Sequence, residues 1–144
     1  KYSLNMEIHR RPKSVIKEAH QNIDKFIKPG NEFARQLIYK LGNIMWEYCG
    51  VVRDDFRLKK GLEEINKLKI RADHIDVRID SEGCNDLMAA FDLQASLLTA
   101  ESTIISALKR KESRGAHQRA DYPEIDDNEI ANYKIKLNDK QLEI

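Results

Sequence analysis

The 144-residue sequence is poor in the residues that build metal centres and disulfide frameworks. Its two cysteines, Cys49 and Cys84, stand far apart, with no CxxC pair and no histidine at ligand spacing, so neither a zinc site nor a bridged scaffold is expected. No apolar run approaches the roughly twenty residues that cross a bilayer, and no charged-then-apolar leader opens the chain. An excess of one charge is also missing. The 25 basic residues face 24 acidic ones, which leaves no global field to draw in nucleic acid or an anionic membrane. These absences predict a soluble chain with reduced, cytosolic thiols, no nucleic-acid partner and no direct membrane insertion.

The common chemistry-bearing motifs are missing as well. Neither GxGxxG after a strand nor GxxxxGKS/T occurs, so the chain has no ready backbone cradle for a nucleotide phosphate and no cofactor site of its own is expected. HExxH and GxSxG are absent too. The four histidines, His9, His20, His74 and His117, are scattered, and a lone histidine reads as a surface or capping residue before it reads as a ligand. Glu101 lies one turn past an apolar position and is expected to reach solvent or pair with a nearby lysine or arginine. Trp46 and Tyr48, beside Ile44 and Met45, read as core or interface aromatics.

What is present points to helices. Charged residues make up 34% and aromatics only 7%, a balance suited to exposed amphipathic helices. Val15, Ile16, Ala19, Ile23, Phe26 and Ile27 recur at three- and four-residue steps between Pro12 and Ile27. Lys28-Pro29-Gly30 stops that helix, and Asn31 is placed to cap a second that carries Phe33, Leu37, Ile38, Leu41, Ile44, Met45 and Tyr48. Cys49-Gly50 ends it, with glycine suited to a left-handed position there. Asp54-Asp55 open a third, striped by Leu58, Leu62, Ile65 and Leu68. Ile75, Val77 and Ile79 then alternate with charged residues, which predicts an extended segment with one buried face, followed by a turn at Ser81-Glu82-Gly83. Asn85 caps the longest pattern, running to about Lys111. Its predicted inner stripe is Leu87, Phe91, Ala95, Leu98, Ile105 and Leu108, widened by Met88, Leu97 and Ile104. The expected fold is all-α, an antiparallel three- to four-helix bundle over about residues 12–111, with a short extended segment and an irregular C-terminal tail over about 112–144. Alternation returns in the tail only at Tyr133, Ile135 and Leu137, a candidate edge strand. The sequence begins at Lys1 and enters a helical pattern quickly, which suggests a piece of a longer protein.

The tail opens on ESRGAHQRADYP, Glu112 to Pro123. Glu112 and His117 could exchange a proton, Ser113 could serve as a nucleophile, and Arg114 with Arg119 could grip a carboxylate. The same groups suit a surface that docks on another domain, with Gly115 allowing close approach. Docking is favoured, because a short polar tail offers few walls for a catalytic pocket.

The stretch KRKESRGAHQRADYPEIDD, Lys109 to Asp127, resembles the signature near the C-terminus of the flavoprotein subunit of succinate dehydrogenase and fumarate reductase. MWEYCGVVRD, Met45 to Asp54, is similar to a second stretch of that family. LLTAESTIISALKRKESRGAH, Leu97 to His117, resembles its long helix running into the signature. The likeness extends in order from Asn31 to Asp127. Two positions depart from the family pattern: Ile125 stands where an arginine is common, and Tyr133 where a tryptophan is common.

The resemblance implies that residues 1–144 are the helical C-terminal domain of a longer flavoprotein, inactive alone. The parent would be an FAD-dependent oxidoreductase that interconverts succinate and fumarate and passes electrons to an iron-sulfur subunit. It would be cytoplasmic, or held at a membrane through partner subunits. No catalytic, flavin-binding or metal residue is expected in this stretch. Glu112, Ser113, Arg114, Gly115, His117, Arg119, Asp121 and Tyr122 are expected to dock on or support the parent's FAD-binding and capping domains. In this reading Arg114 and Arg119 donate to that surface, Glu112 and Asp121 position the two arginines, and His117 lies nearest the flavin domain's site. All three basic residues are expected to matter to docking more than to folding. L-aspartate oxidases share the domain, but Ala116 and Arg119 are similar to the succinate and fumarate branch. A free-standing bundle that binds a partner protein through Lys109 to Arg119 is the remaining alternative.

Overall fold

A computed structural model describes residues 13–79, 84–138 and 141–143. Its framework is three helices, α2 (Ala34–Tyr48), α3 (Asp55–Ala72) and α4 (Asn85–Lys109), each packed on the other two. They meet because each carries apolar residues at helical spacing: Leu37 and Leu41 on α2, Leu58, Ile65 and Leu68 on α3, and Leu93, Leu97 and Ile104 on α4, all buried. Gly61 sits at a close approach of the helices, where a Cβ would stand 2.8 Å from Tyr48 Cβ and 3.0 Å from Ile104 Cδ1. Asp54 caps α3 as expected, its side chain accepting from the Arg57 N–H at 2.8 Å.

The first helix, α1 (Lys13–Asp24), buries no residue. The expectation that its apolar face joins the bundle fails, since Val15 and Ile16 are exposed and only Ile23 and Phe26 pack against the core. The Phe26 and Phe91 rings meet with centroids 4.8 Å apart. The packed bundle is therefore the three-helix form of the expected three- to four-helix bundle. Pro12, placed in the first turn, lies outside the described residues, as does the turn predicted at Ser81-Glu82-Gly83.

The stripe predicted on α4 is also displaced. Leu87, Leu97 and Ile104 are buried as predicted, but Phe91, Leu98 and Met88 are exposed, and the rest of the buried line runs through Ala90, Leu93, Ala100 and Ala107. Alanines let α2 and α3 approach α4 closely, so the face with less apolar bulk is the one that packs. Helix ends differ in detail too. Phe33, not Asn31, holds the N-cap position of α2, and Asn31 instead donates its backbone N–H to the His74 carbonyl at 3.0 Å. Cys84 precedes α4 without a side-chain cap, Asn85 being its first residue. Gly50 is not left-handed, and Cys49 closes α2 with a backbone bond to Met45.

The segment at Ile75 is extended and bridges Glu32 in parallel. Ile75 and Val77 are buried as predicted, but Asp76 is buried with them and Ile79 is half exposed. The Asp76 carboxylate takes the Gly30 N–H at 3.3 Å and pairs with Arg78 at 2.6 Å, which accounts for a charge at an inward position. In the tail, β3 (Lys136–Asn138) and β4 (Gln141–Glu143) form an antiparallel hairpin that includes Leu137 and leaves Tyr133 and Ile135 ahead of it.

Candidate functional site

The site is assembled at one end of α4. Beyond Lys109 the backbone of Arg110 turns extended, leaving the last carbonyls of the helix without intrahelical donors. The chain then folds back through a turn in which Arg114 and His117 exchange backbone bonds of 2.8 and 3.1 Å. Gly115 sits in that turn at φ +60°, where other residues would be strained. The chain continues into β2 (Gln118–Arg119), which pairs in parallel with β1 (Val52–Arg53).

Arg119 follows the turn and points inward, only 2% exposed. Its Nη1 donates to the carbonyls of Ala107 at 2.7 Å and Arg110 at 3.1 Å, closing the end of α4. Its Nε and Nη2 meet both Asp121 oxygens at 2.7 Å, a bidentate pair. Asp121 in turn accepts the Asp55 N–H, the first of α3, at 3.0 Å. A cation thus stands at the C-terminal end of α4 and an anion at the N-terminal end of α3, each where the helix dipole favours it. The Arg119 guanidinium holds the Asp121 carboxyl down at about 2, with help from the Asp55 N–H and against partial burial. The ring of Tyr122 lies under the same guanidinium, 5.0 Å from centroid to Cζ.

Glu112 is fully buried. It accepts from Arg114 Nε at 3.0 and 3.1 Å, from the Asp126 N–H at 3.1 Å and from Arg110. Arg114 foremost, then the Asp126 N–H and Arg110, hold its carboxyl at about 2 despite the opposing effect of burial. Ser113 is buried as well. Its hydroxyl accepts the Arg119 N–H at 2.7 Å and donates to the Tyr122 carbonyl at 2.8 Å, so it pins the turn and is not poised beside a base.

His117 is half-buried between arginines. Arg53 Nη1 lies 2.9 Å from Nδ1, and because an arginine only donates, Nδ1 accepts and the proton sits on Nε2, which faces the Arg110 carbonyl at 3.4 Å. Burial first, then the charges of Arg53, Arg119 and Arg110, push its pKa below the ordinary value, while that carbonyl works against them. A neutral imidazole with both nitrogens engaged does not offer Glu112 a proton relay.

The structure brings all eight predicted residues into one turn and forms the expected Glu112–Arg114 and Asp121–Arg119 pairs. It corrects the expectation that Arg119 is outward and dispensable to folding: its donors are engaged by the chain's own carbonyls and by Asp121. The exposed residues of the segment include Gly115, Ala116, Gln118, Ala120, Pro123, Glu124 and Ile125, with the Arg114 side chain and Tyr122 each 37% accessible. Sequence reasoning missed Arg53, Arg110 and Asp55 as members of the site. A two-residue parallel strand has no periodicity to reveal Arg53, although its place in the family-like stretch Met45 to Asp54 was a usable sign. Elsewhere, Glu101 pairs with Lys69 at 2.5 Å as expected, and Trp46 is 85% exposed rather than core. Among the described residues no cluster of potential ligands could hold a metal, and no helix is long and apolar enough to cross a membrane.

The helical bundle closed by this charged turn matches the C-terminal domain of a flavoprotein family. The family model described as fumarate reductase flavoprotein C-term matches residues 38–144, and the chain belongs to that family. The match includes the tail beyond Asp127, past the end of the resemblance in sequence. The fumarate reductase flavoprotein subunit of Haemophilus influenzae is 41% identical over 99 residues, covering 68% of this chain and 16% of that protein. The L-aspartate oxidase of Pyrococcus horikoshii is 36% identical over 80 residues, covering 56% and 12%. The solved quinol fumarate reductase of E. coli superposes with a TM-score of 0.74 at 28% identity, covering 82% of this chain and 21% of that one. The chain thus spans about a fifth, or less, of the length of these relatives.

Proposed function

We propose that residues 1–144 are the non-catalytic C-terminal domain of an FAD-dependent flavoprotein subunit that interconverts succinate and fumarate. The family match over residues 38–144 carries this reading. FAD would be bound by the parent's flavin-binding domain. Among the described residues, the buried charges Asp76, Glu112 and Arg119 are each bonded to the chain's own groups, and none is left over to hold a flavin pyrophosphate. The domain docks on the flavin-binding and capping domains through the exposed edge of the turn, Arg114, Gly115, Gln118 and Tyr122. Glu112, Ser113, Arg119 and Asp121 hold that edge in shape, and His117 is fixed beside it by Arg53. The parent passes electrons to an iron-sulfur subunit, in the cytoplasm or at a membrane reached through partner subunits.

Two measurements test the proposal. The 144-residue chain mixed with FAD should emerge colourless from gel filtration, and stoichiometric flavin on it would refute the assignment of flavin binding to upstream residues. The full-length protein should oxidise succinate or reduce fumarate. Turnover of aspartate alone would shift the reading to an L-aspartate oxidase, which the Pyrococcus relative keeps as the second possibility.

A further inference from the structure

A second exposed surface adjoins the signature turn. Trp46, in the last turn of α2, is 85% exposed; Phe56, in the first turn of α3, is 78% exposed; Val51 and Val52, between them, are about equally open at 61% and 60%. The stretch is not loosely held. Arg57 donates to the Glu47 carbonyl across the corner, and Arg53 Nε donates to the Gly50 carbonyl at 2.6 Å. Four large apolar side chains on a fixed backbone corner mark an interface, and tryptophan is the residue type most often found at its energetic centre.

The corner is bonded to the signature. The Val51 carbonyl accepts the Gln118 N–H at 3.2 Å, the Arg53 carbonyl accepts the Ala120 N–H at 2.8 Å, and Asp121 holds the Asp55 N–H. A body that receives the exposed edge of the turn therefore receives the corner as part of the same rigid unit. The relatives are roughly four times as long as this chain, so most of the family polypeptide lies outside this domain and is available to cover its exposed surfaces.

We propose that Trp46, Val51, Val52 and Phe56 form the apolar half of the contact between this domain and the flavin-binding part of the same polypeptide, the signature edge forming the polar half. The inference rests on the function proposed above. Its test compares W46S, F56S and the double variant in the 144-residue chain and in the full-length protein. In the isolated chain the variants should unfold at the wild-type urea midpoint, since these side chains face solvent. In the full-length protein they should speed limited proteolysis between the flavin-binding part and this domain at least tenfold, because cleavage follows the undocked population. Equal cleavage rates in variant and wild type would overturn the inference. So would unfolding of the isolated variants, which would make the corner part of the domain's own core, or a wild-type dimer of the isolated chain that W46S dissolves, which would assign the surface to a second copy. Failure of the functional reading is separate: the wild-type full-length protein would then carry no flavin, or would turn over aspartate alone, whatever the corner does.

Discussion

Replacing Arg119 by methionine keeps an unbranched apolar stem and removes the guanidinium, which separates the folding role of this residue from any docking role. The substitution strips donors from the Ala107 and Arg110 carbonyls at the end of α4 and leaves the Asp121 carboxylate without its bidentate partner. Breaking a buried pair from one side costs about 3–5 kcal/mol. The Asp121 side chain is 29% exposed and can recover some hydration, so the lower end, about 3 kcal/mol, is expected. With an m value of about 2 kcal/mol/M, the urea midpoint of the 144-residue chain should fall by about 1.5 M. Far-UV circular dichroism is the suitable probe, because Trp46 is already exposed and its fluorescence changes little on unfolding. Adding D121N to R119M should cost much less than D121N alone, since the two side chains act as one unit. A midpoint shift below about 0.5 M at unchanged m, equivalent to about 1 kcal/mol, would refute the buried-cap reading and return Arg119 to the docking surface.

Acid should weaken the chain in a defined window. Glu112 and Asp121 ordinarily titrate at 4.5 and 3.8 and are held at about 2 in the folded chain. Their contribution is therefore complete at neutral pH and is lost as pH falls from about 4.5 toward about 2, where the unfolded chain binds protons that the folded chain refuses. Urea midpoints measured across that range should drop, and E112Q should be weaker at neutral pH with a shallower drop. Two glycines should respond oppositely to alanine. G42A places its Cβ in open space on α2 and should stabilise by about 0.5–1 kcal/mol, whereas G61A meets Tyr48 and Ile104 and should destabilise by about 1–3 kcal/mol, both read from urea midpoints. Nitrogen NMR of the His117 imidazole should show the Nε2–H tautomer at neutral pH and a pKa below 6.5. A protonated ring at neutral pH would contradict its setting among Arg53, Arg110 and Arg119.

Local rules made much of the bundle legible. The stripes on α2 and α3 and the Asp54 cap depend on neighbours within one or two turns, and the buried residues Leu37, Leu41, Leu58, Ile65 and Leu68 follow from them. Amphipathic pattern shows that a helix has an apolar face, but not that another element is present to cover it, which is why α1 was misplaced. On α4 the weight of Phe91, Leu98 and Met88 outvoted the alanines. Close helix crossings reward small side chains, and that demand comes from α2 and α3 rather than from α4 itself. Pairs two residues apart, Glu112 with Arg114 and Arg119 with Asp121, could be read in the signature. Asp55 and the Ala107 carbonyl could not, because they are brought to the turn from helix ends with no local pattern to announce them. Arg53 is signalled only by its place in the family-like stretch Met45 to Asp54.

The signature is thereby divided into an inner and an outer half, and the division explains how one short turn can present a firm surface. Glu112, Ser113 and Arg119 are buried; Arg119 and Glu112 tie the turn to the end of α4, Ser113 pins it to itself, and Asp121 ties it to the start of α3. The two helix ends supply charge of the sign that each partner lacks, so the anchoring uses the dipoles of the bundle rather than additional core. Gly115, Ala116 and Gln118 are carried outward on that anchor, and Arg114 spans both halves, bonded to buried Glu112 yet 37% exposed. Inner substitutions should therefore weaken the isolated chain and the full-length protein together, whereas outer ones should leave the isolated chain intact and act only where a partner surface is present. Arg114 is the residue at which both effects should appear at once.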